Sequence, residues 1–322
     1  MNECMSIPSP VERISFFGRP LWLKRDDLLP EPFSGNKARK FASLRTGDFP
    51  AVTTLIGYGS PQSNSLFSLA ALAHERGWQL EFYVSHIAQA IDASPGSNYG
   101  GALSFGARVL PVPVEGMSAR DYIETVRLKA ADGAQCLYVP EGGRCALARE
   151  GVRHLGQEIC VWAHGQQIEA LRVFLPSGSG TTALYLSEYF IEAAPQIRVY
   201  TCPVVGDEAY LSAQFRELIA DSSLHPQVAG GKHHYAGLKL SELEMWGQML
   251  AQGTEFELLY DPFGLQVLKT LMQDDATCAD QRAPWLYLHQ GGLRGNVSMA
   301  ARYRRKYPQW FEKNKAWAGK YL

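Results

Sequence analysis

From about residue 50 onward, short apolar, β-branched stretches alternate with longer stretches of helical period, the signature of a parallel α/β architecture. The spacing predicts strands over 21–24, 52–56, 80–84, 107–112, 136–139, 171–175, 197–202 and 285–288, with helices over 63–76 and 118–131 among the connections. In the first of these helices leucine and alanine recur every three or four residues, and Gly77 stands at the expected stop. Neither an internal repeat nor a low-complexity linker separates two halves, so a second domain has to be interwoven with the first.

The chain's 322 residues, 46% hydrophobic and 20% charged, suffice for one large or two medium domains and exclude disordered, collagenous and coiled-coil classes. Lysine plus arginine (31) nearly balances aspartate plus glutamate (32), so no overall cationic field favours nucleic acid or acidic lipid. A small zwitterionic ligand suits that balance. No apolar run approaches the roughly 20 residues of a membrane span, and the opening MNECMSIPSPVERISFF lacks a secretory or transit pattern. Six cysteines without C-x-x-C spacing read as reduced, mostly buried thiols, which points to a cytoplasmic setting and away from structural zinc. The closing segment RYRRKYPQWFEKNKAWAGKYL carries seven basic residues and six aromatics, and reads as a docked surface helix or as a subunit or polyanion contact.

Three local signals carry chemistry. Lys37 follows Gly35 and Asn36 at a helix opening, with Lys24, Arg25, Arg39 and Lys40 nearby in sequence. Neighbouring cations and desolvation both disfavour an ammonium, which an amine that attacks a carbonyl requires; a solvated basic helix start is the plain alternative. The run Gly178-Ser179-Gly180-Thr181-Thr182 joins a strand to a helix and offers backbone amides and hydroxyls to a phosphate. With Ala183 and the later Asp207 it also fits a dinucleotide fingerprint, so a nicotinamide-dependent oxidoreductase is an alternative. Gln62, Ser63 and Asn64 crowd another strand-to-helix junction, suited to holding a carboxylate or simply to capping the helix. His225, His233 and His234 lack ligand spacing and read as loop histidines, and no metal site is expected. Tyr235 beside them is a candidate phenolic acid.

The order of these blocks resembles the pyridoxal-phosphate enzymes of the 1-aminocyclopropane-1-carboxylate deaminase and D-cysteine desulfhydrase family. The matching blocks are Lys24-Arg25-Asp26-Asp27, Gly35 to Lys40, Gln62-Ser63-Asn64, and Asn98 with Gly106-Ala107-Arg108-Val109. They continue with Pro140-Glu141-Gly142-Gly143, Gly178 to Thr182, Asp261-Pro262 and His289-Gln290-Gly291-Gly292. The resemblance implies a two-domain, tryptophan-synthase-β-like fold (fold type II), with residues 1–50 and 160–322 forming a large cofactor domain and 51–159 a small α/β domain. It implies that Lys37 binds pyridoxal 5'-phosphate covalently, Asn64 its phenolic oxygen, Gly178, Ser179, Gly180, Thr181 and Thr182 its phosphate, and Gln290 its pyridine nitrogen. Gln62, Ser63 and Asn64 then face a substrate carboxylate, with Lys37, Ser63 and Tyr235 as the catalytic set.

The implied reaction is that of a lyase or deaminase converting a small amino acid, D-cysteine or a relative, to a 2-oxo acid and ammonia. A cytoplasmic homodimer without nucleic-acid or membrane partners is implied with it. The chain departs from the family pattern where a tyrosine and a glutamate give way to Gly264 and Leu265, the H-T-G-G threonine to Gln290, and a serine to Arg144. These departures motivate a second expectation, a member that binds the cofactor without deaminase turnover, and a third, that Gly264 opens the site to a bulkier substrate.

Overall fold

The computed structural model describes residues 8–89, 91–275 and 283–321. Its strands are β1 (Val11–Phe16), β2 (Arg19–Arg25), β3 (Thr54–Tyr58), β4 (Gln79–Val84), β5 (Arg108–Pro111), β6 (Cys136–Tyr138), β7 (Leu171–Ser177), β8 (Ile197–Pro203), β9 (Gln227–Val228) and β10 (Trp285–His289). They form two sheets, one of six strands in the order β1-β2-β10-β7-β8-β9 and one of four in the order β5-β4-β3-β6. Every pairing is parallel except β1 with β2. The six-stranded sheet thus draws on both ends of the described chain, and the four-stranded sheet on the stretch between.

Alternation along the central strands explains why the larger sheet is covered on both faces. Leu171, Val173 and Leu175 of β7, with Leu286 and Leu288 of β10, pack on one side with Leu184 and Phe190 of the helix Thr181–Ala193. Phe174, Trp285 and Tyr287 turn to the other side, where Trp246, Phe256, Tyr303 and Phe311 enclose them. The aromatic C-terminal segment is docked there: Phe311 is buried, and Trp310 packs against both Trp246 and Trp317.

In the smaller sheet, Leu55, Leu80 and Phe82 meet the helix Asn64–Arg76, whose residues Ser65 to Ala73 are all buried. Ser63 Oγ caps that helix by accepting from Leu66 N–H at 3.2 Å, and Gly77 ends it at a φ of 70°.

The eight predicted strands are present. The helix expected over 118–131 is shorter: Ala119–Thr125 is helical, Val126 leaves helical geometry, and a separate 3-10 turn covers Arg127–Lys129. Arg127 is drawn there by Glu81 and Asp132, an ion-pair demand invisible to periodicity. Strand β1 was unforeseen because its hairpin turns on Phe17-Gly18, both at positive φ, where Asn-Gly is the recognisable signal. Of the cysteines within the described residues, only Cys202 is buried, while Cys136, Cys145 and Cys160 are half-buried; Cys4 and Cys278 lie outside them.

A buried charge network fastens the N-terminal segment to the sheet. Arg39 on the helix Gly35–Lys40 pairs with Asp26 at 2.8 Å and with Glu158 at 2.5 Å, and Lys24 reaches the same Glu158 at 2.7 Å. Arg39→Ala leaves the fully buried Asp26 without its cation. It should destabilise the protein by about 3 kcal/mol in denaturant unfolding, whereas Arg45→Ala, at an exposed pair with Glu75, should cost under about 1 kcal/mol.

Candidate active site

The carboxyl ends of parallel strands open onto a common cleft, the usual place for a ligand in α/β proteins. Strand β7 runs into Gly178-Ser179-Gly180, β10 into Gln290-Gly291-Gly292, and β3 into the turn before Asn64. All three turns line one cavity of about 240 Å³. The helix Gly35–Lys40 forms a further wall and brings Lys37 to it.

Close backbone packing fixes that helix. Asn36 N–H donates to Gln290 O at 3.0 Å. Gly35, at a φ of 66°, lies so close to the Gln290 carbonyl that any Cβ would collide with it. Asn36 Nδ2 donates to Gln290 Oε1 at 3.0 Å, and Gln290 Nε2 donates to Pro176 O at 2.7 Å. Gln290 is therefore a strut between helix and sheet that also borders the cavity, with one amide hydrogen uncommitted.

Burial pulls the Lys37 amine down to about 8, with the Glu141 and Glu257 carboxyls opposing it. The expected role of surrounding cations needs correction, because Lys24, Arg25 and Arg39 are all engaged with carboxylates. Of the four only Lys40 borders the cavity with Lys37: it is buried, donates to Gly142 O, and its own ammonium is disfavoured by burial and by the Lys37 charge, while its contact with Lys37 favours the Lys37 ammonium rather than opposing it. The Lys37 amine itself donates to Asn36 Oδ1 at 3.2 Å.

Opposite Lys37 stands the N-terminus of the helix Asn64–Arg76. Asn98 Nδ2 donates to Asn64 Oδ1 at 2.8 Å and to Gln62 O at 3.0 Å. That bond commits Asn64 Oδ1 and orients its Nδ2 toward Gly292, where a Cβ would collide with it. Gln62, Ser63 and Asn64 all border the cavity, although Ser63 Oγ also serves as the cap.

The glycine loop has the form of an anion cradle. Gly180 sits at a φ of 70° with Phe215 and Leu211 filling the space of a Cβ, and the helix behind it begins at Thr181. Ser179 and Thr181 hydroxyls lie 3.0 Å apart, and the buried Thr182 Oγ1 has no partner within the protein. An unpaired buried hydroxyl beside a free helix N-terminus fits a phosphate oxygen.

Tyr235 borders the cavity and packs edge-on against Tyr260, ring centroids 6.0 Å apart. The residue is 38% exposed overall, but the desolvation of its hydroxyl beside the cleft pushes the phenol up to about 12, so it holds its proton at neutral pH. Lys40, Glu141, Glu257 and Tyr260 also face the cavity and were missed by sequence reasoning. Tyr260 had a usable signal, its place immediately before Asp261-Pro262, and Glu141 had one in the Pro140-Glu141-Gly142-Gly143 block; Glu257 had none. Gly264 opens nothing: a Cβ there would stand 2.9 Å from Pro176 Cβ and 3.2 Å from Tyr287 Oη, and Leu265 is a core residue. Arg144 pairs with Glu217.

Among the described residues no group of histidine, cysteine and acidic side chains is arranged to hold a metal. His233 is not a loop residue in the expected sense, since it is buried between Val204 O at 2.9 Å and Glu242 at 2.8 Å. Asp207 caps the helix Glu208–Leu218 through Tyr210 N–H at 2.9 Å.

The family model for pyridoxal-phosphate dependent enzymes matches residues 7–251. The chain belongs to that family. The D-cysteine desulfhydrase of Klebsiella pneumoniae (strain 342) is 28% identical over 237 residues, 68% of this chain and 70% of the relative. That of Yersinia pestis (strain Pestoides F) is 28% identical over 231 residues, 66% and 68% of the two chains. A crystal structure of a 1-aminocyclopropane-1-carboxylate deaminase homologue superimposes with a TM-score of 0.76 at 17% identity, covering 94% of this chain and 95% of the other. A hydrogen sulfide-producing enzyme from Fusobacterium nucleatum gives 0.61 at 13% identity, covering 89% and 96%. The fold is therefore that of the fold type II pyridoxal-phosphate enzymes, as the resemblance implied. No helix among the described residues is long and apolar enough to cross a membrane.

Thr182→Val tests the cradle. Removing an unpaired buried hydroxyl should leave the cofactor-free protein at least as stable in a thermal melt, while the dissociation constant for pyridoxal phosphate rises about tenfold.

Proposed function

We propose that this enzyme is a pyridoxal-phosphate-dependent lyase or deaminase of the D-cysteine desulfhydrase type, converting a small amino acid to a 2-oxo acid and ammonia. The observation that carries the reading is the placement of the half-buried Lys37, its amine desolvated and pulled down to about 8, on the same cavity as the glycine-loop cradle and the Gln62-Ser63-Asn64 helix end. The relatives support the reaction class.

In this reading Lys37 binds the cofactor aldehyde, Asn64 Nδ2 meets the phenolic oxygen, and Gly178 to Thr182 hold the phosphate. The remaining Nε2 hydrogen of Gln290 suits an unprotonated pyridine nitrogen, which a neutral amide serves better than a protonated one. The bound cofactor supplies an electron sink for charge released at the substrate's Cα.

The protein's own groups do the rest. Ser63, Asn64 and the first-turn N–H groups hold the substrate carboxylate, and Gln62 closes that side. The Lys37 amine, once free of the cofactor, takes the Cα proton and returns one. Tyr235, protonated at neutral pH, is placed to donate to a departing group. For a D-cysteine-like substrate the products are sulfide, pyruvate and ammonia, with water consumed.

The N-terminal and C-terminal stretches that build the larger sheet would form the cofactor domain, and the four-stranded sheet the smaller one. The reading includes a homodimer in the cytoplasm, the latter in keeping with four free thiols among the described residues. A second reading, a cofactor-binding member without deaminase turnover, rests on Gln290, whose side chain is tied up as a strut between Asn36 and Pro176.

Borohydride reduction of the protein loaded with pyridoxal phosphate, followed by peptide mapping, should place the modification on Lys37. Lys37→Ala should lose both the visible band and all ammonia release from a panel of D- and L-amino acids. A wild-type protein that takes up the cofactor on Lys37 but releases ammonia from no member of the panel selects the second reading.

The pH dependence of loading follows from the amine. At pH 7 roughly a tenth of an amine titrating near 8 is neutral, against roughly three in ten thousand of an ordinary lysine. The rate of cofactor uptake should rise with pH and level off above about 8, which stopped-flow absorbance measures.

A further inference from the structure

The floor of the cleft contains a buried acid with one oxygen committed and the other not. Glu257 lies in the loop between the helices Leu240–Ala251 and Asp261–Asp275 and is 2% exposed. Its Oε2 accepts from Leu259 N–H at 2.8 Å and from Tyr260 N–H at 2.7 Å. Its Oε1 has no partner within the protein, and the residue borders the cavity.

The side chain shares a glycine-rich turn with Asn64. A Cβ on Gly295 would stand 3.3 Å from Glu257 Oε1 and 3.7 Å from Asn64 Oδ1; one on Gly292 would stand 3.2 Å from Glu257 Cγ and against Asn64 Nδ2. Both positions carry no side chain, so the carboxyl and the amide border the same space. An ionised carboxylate left half-paired at this depth is costly, whereas a protonated one pairs Oε2 with the two N–H groups and presents Oε1–H as a donor.

The facing charges favour the protonated form on balance. Burial raises Glu257 to about 8, and Asp261 from the following helix adds to the rise; the two N–H groups and Lys37 oppose it. The neighbouring phenols of Tyr260, Tyr235 and Tyr287 hold their protons, Tyr287 donating to Asp261 at 2.6 Å.

We propose that Glu257 acts as a neutral acid whose Oε1–H donates to the phenolic oxygen of the bound cofactor, sharing that oxygen with Asn64 Nδ2. The assignment rests on the proposed binding of pyridoxal phosphate at Lys37. Loss of the Glu257 proton sets a carboxylate against an anionic oxygen, so the visible spectrum of the loaded enzyme shifts and the cofactor is held less tightly as pH rises through the titration.

Glu257→Gln isolates this proton. The glutamine carbonyl can accept from Leu259 and Tyr260 as Oε2 does, and its amide donates where Oε1–H did, with nothing to titrate. Thermal melts of the cofactor-free variants first establish that each is folded. In spectra of the loaded enzyme from about pH 6 to about pH 10, the wild type should show a transition above about 8, the value of the free site, because the anionic oxygen and the engaged Lys37 further disfavour the carboxylate. Glu257→Gln should keep the low-pH spectrum throughout and bind the cofactor within about twofold of wild type, while Glu257→Ala should bind it about tenfold more weakly.

A transition that persists unchanged in Glu257→Gln overturns the assignment while leaving the cofactor reading intact. One that appears only with an amino acid bound also overturns it, moving the proton to the substrate carboxylate. Failure of the wild type to take up the cofactor on Lys37 instead removes the reading on which the assignment rests.

Discussion

The close approach of the helix Gly35–Lys40 to the end of β10 is the constraint on which the cleft depends. Gly35 lies against the Gln290 carbonyl, Asn36 hydrogen-bonds that carbonyl through its N–H, and the two side-chain amides join. Two residues further on, Arg39 is locked into Asp26 and Glu158. Gly151 leaves room for the Arg39 carbonyl against the helix Arg149–Gly165. Lys37 lies between these two anchors, so its amine is set by contacts that have nothing to do with a ligand. A short helix of six residues has little stability of its own, and tertiary contacts supply it.

The glycines around the cleft serve the same end from the other side. Gly180, Gly142 and Gly292 each sit at positive φ, and a Cβ on any of them would enter a neighbour that borders the cavity or supports it. Carboxyl ends of parallel strands leave backbone N–H groups and helix starts pointing into shared space, and turns without side chains bring those groups close together. The two sheets thus contribute different chemistry to one volume: amides and hydroxyls with the form of an anion cradle after β7, a capped helix end after β3, and an amine from the segment between β2 and β3.

Much of this was legible in the chain. Alternating patterns gave the parallel architecture because strands covered on both faces read as short apolar runs, as in Leu171 to Leu175, and motif order placed Lys37, Asn64 and Gly178 to Thr182 in one site. What escaped depends on distance rather than order. The ends of the helix over 119–125 answer to Glu81, some forty residues away, and β1 relies on a Phe-Gly turn that local rules disfavour. Glu257 carries no pattern that separates a cleft acid from a surface one, whereas Glu141 stood within the Pro140 to Gly143 block without a role of its own. Gly264 and Leu265 looked like losses from an active site because a motif was read at face value. Their surroundings, Pro176, Tyr287 and the core, show a helix start that packs tightly against β7 and β10.

Removal of water is the common cause behind the site's electrostatics. The same burial that brings the Lys37 ammonium down raises Glu257, Tyr235 and Asp261, so amine, acid and phenols all move toward their uncharged forms. A neutral amine attacks carbonyls and accepts protons; neutral acids and phenols donate them. One desolvated cleft therefore arms opposite functions together, without needing a separate charged neighbour for each. The cations near Lys37 in sequence are diverted into Asp26, Asp27 and Glu158, where Arg39 ties the helix that carries Lys37 to its surroundings, and the guanidinium groups that border the cavity come instead from Arg294 and Arg302. A small polar ligand entering such a space meets oriented N–H, hydroxyl and amide dipoles that require no reorganisation to receive it.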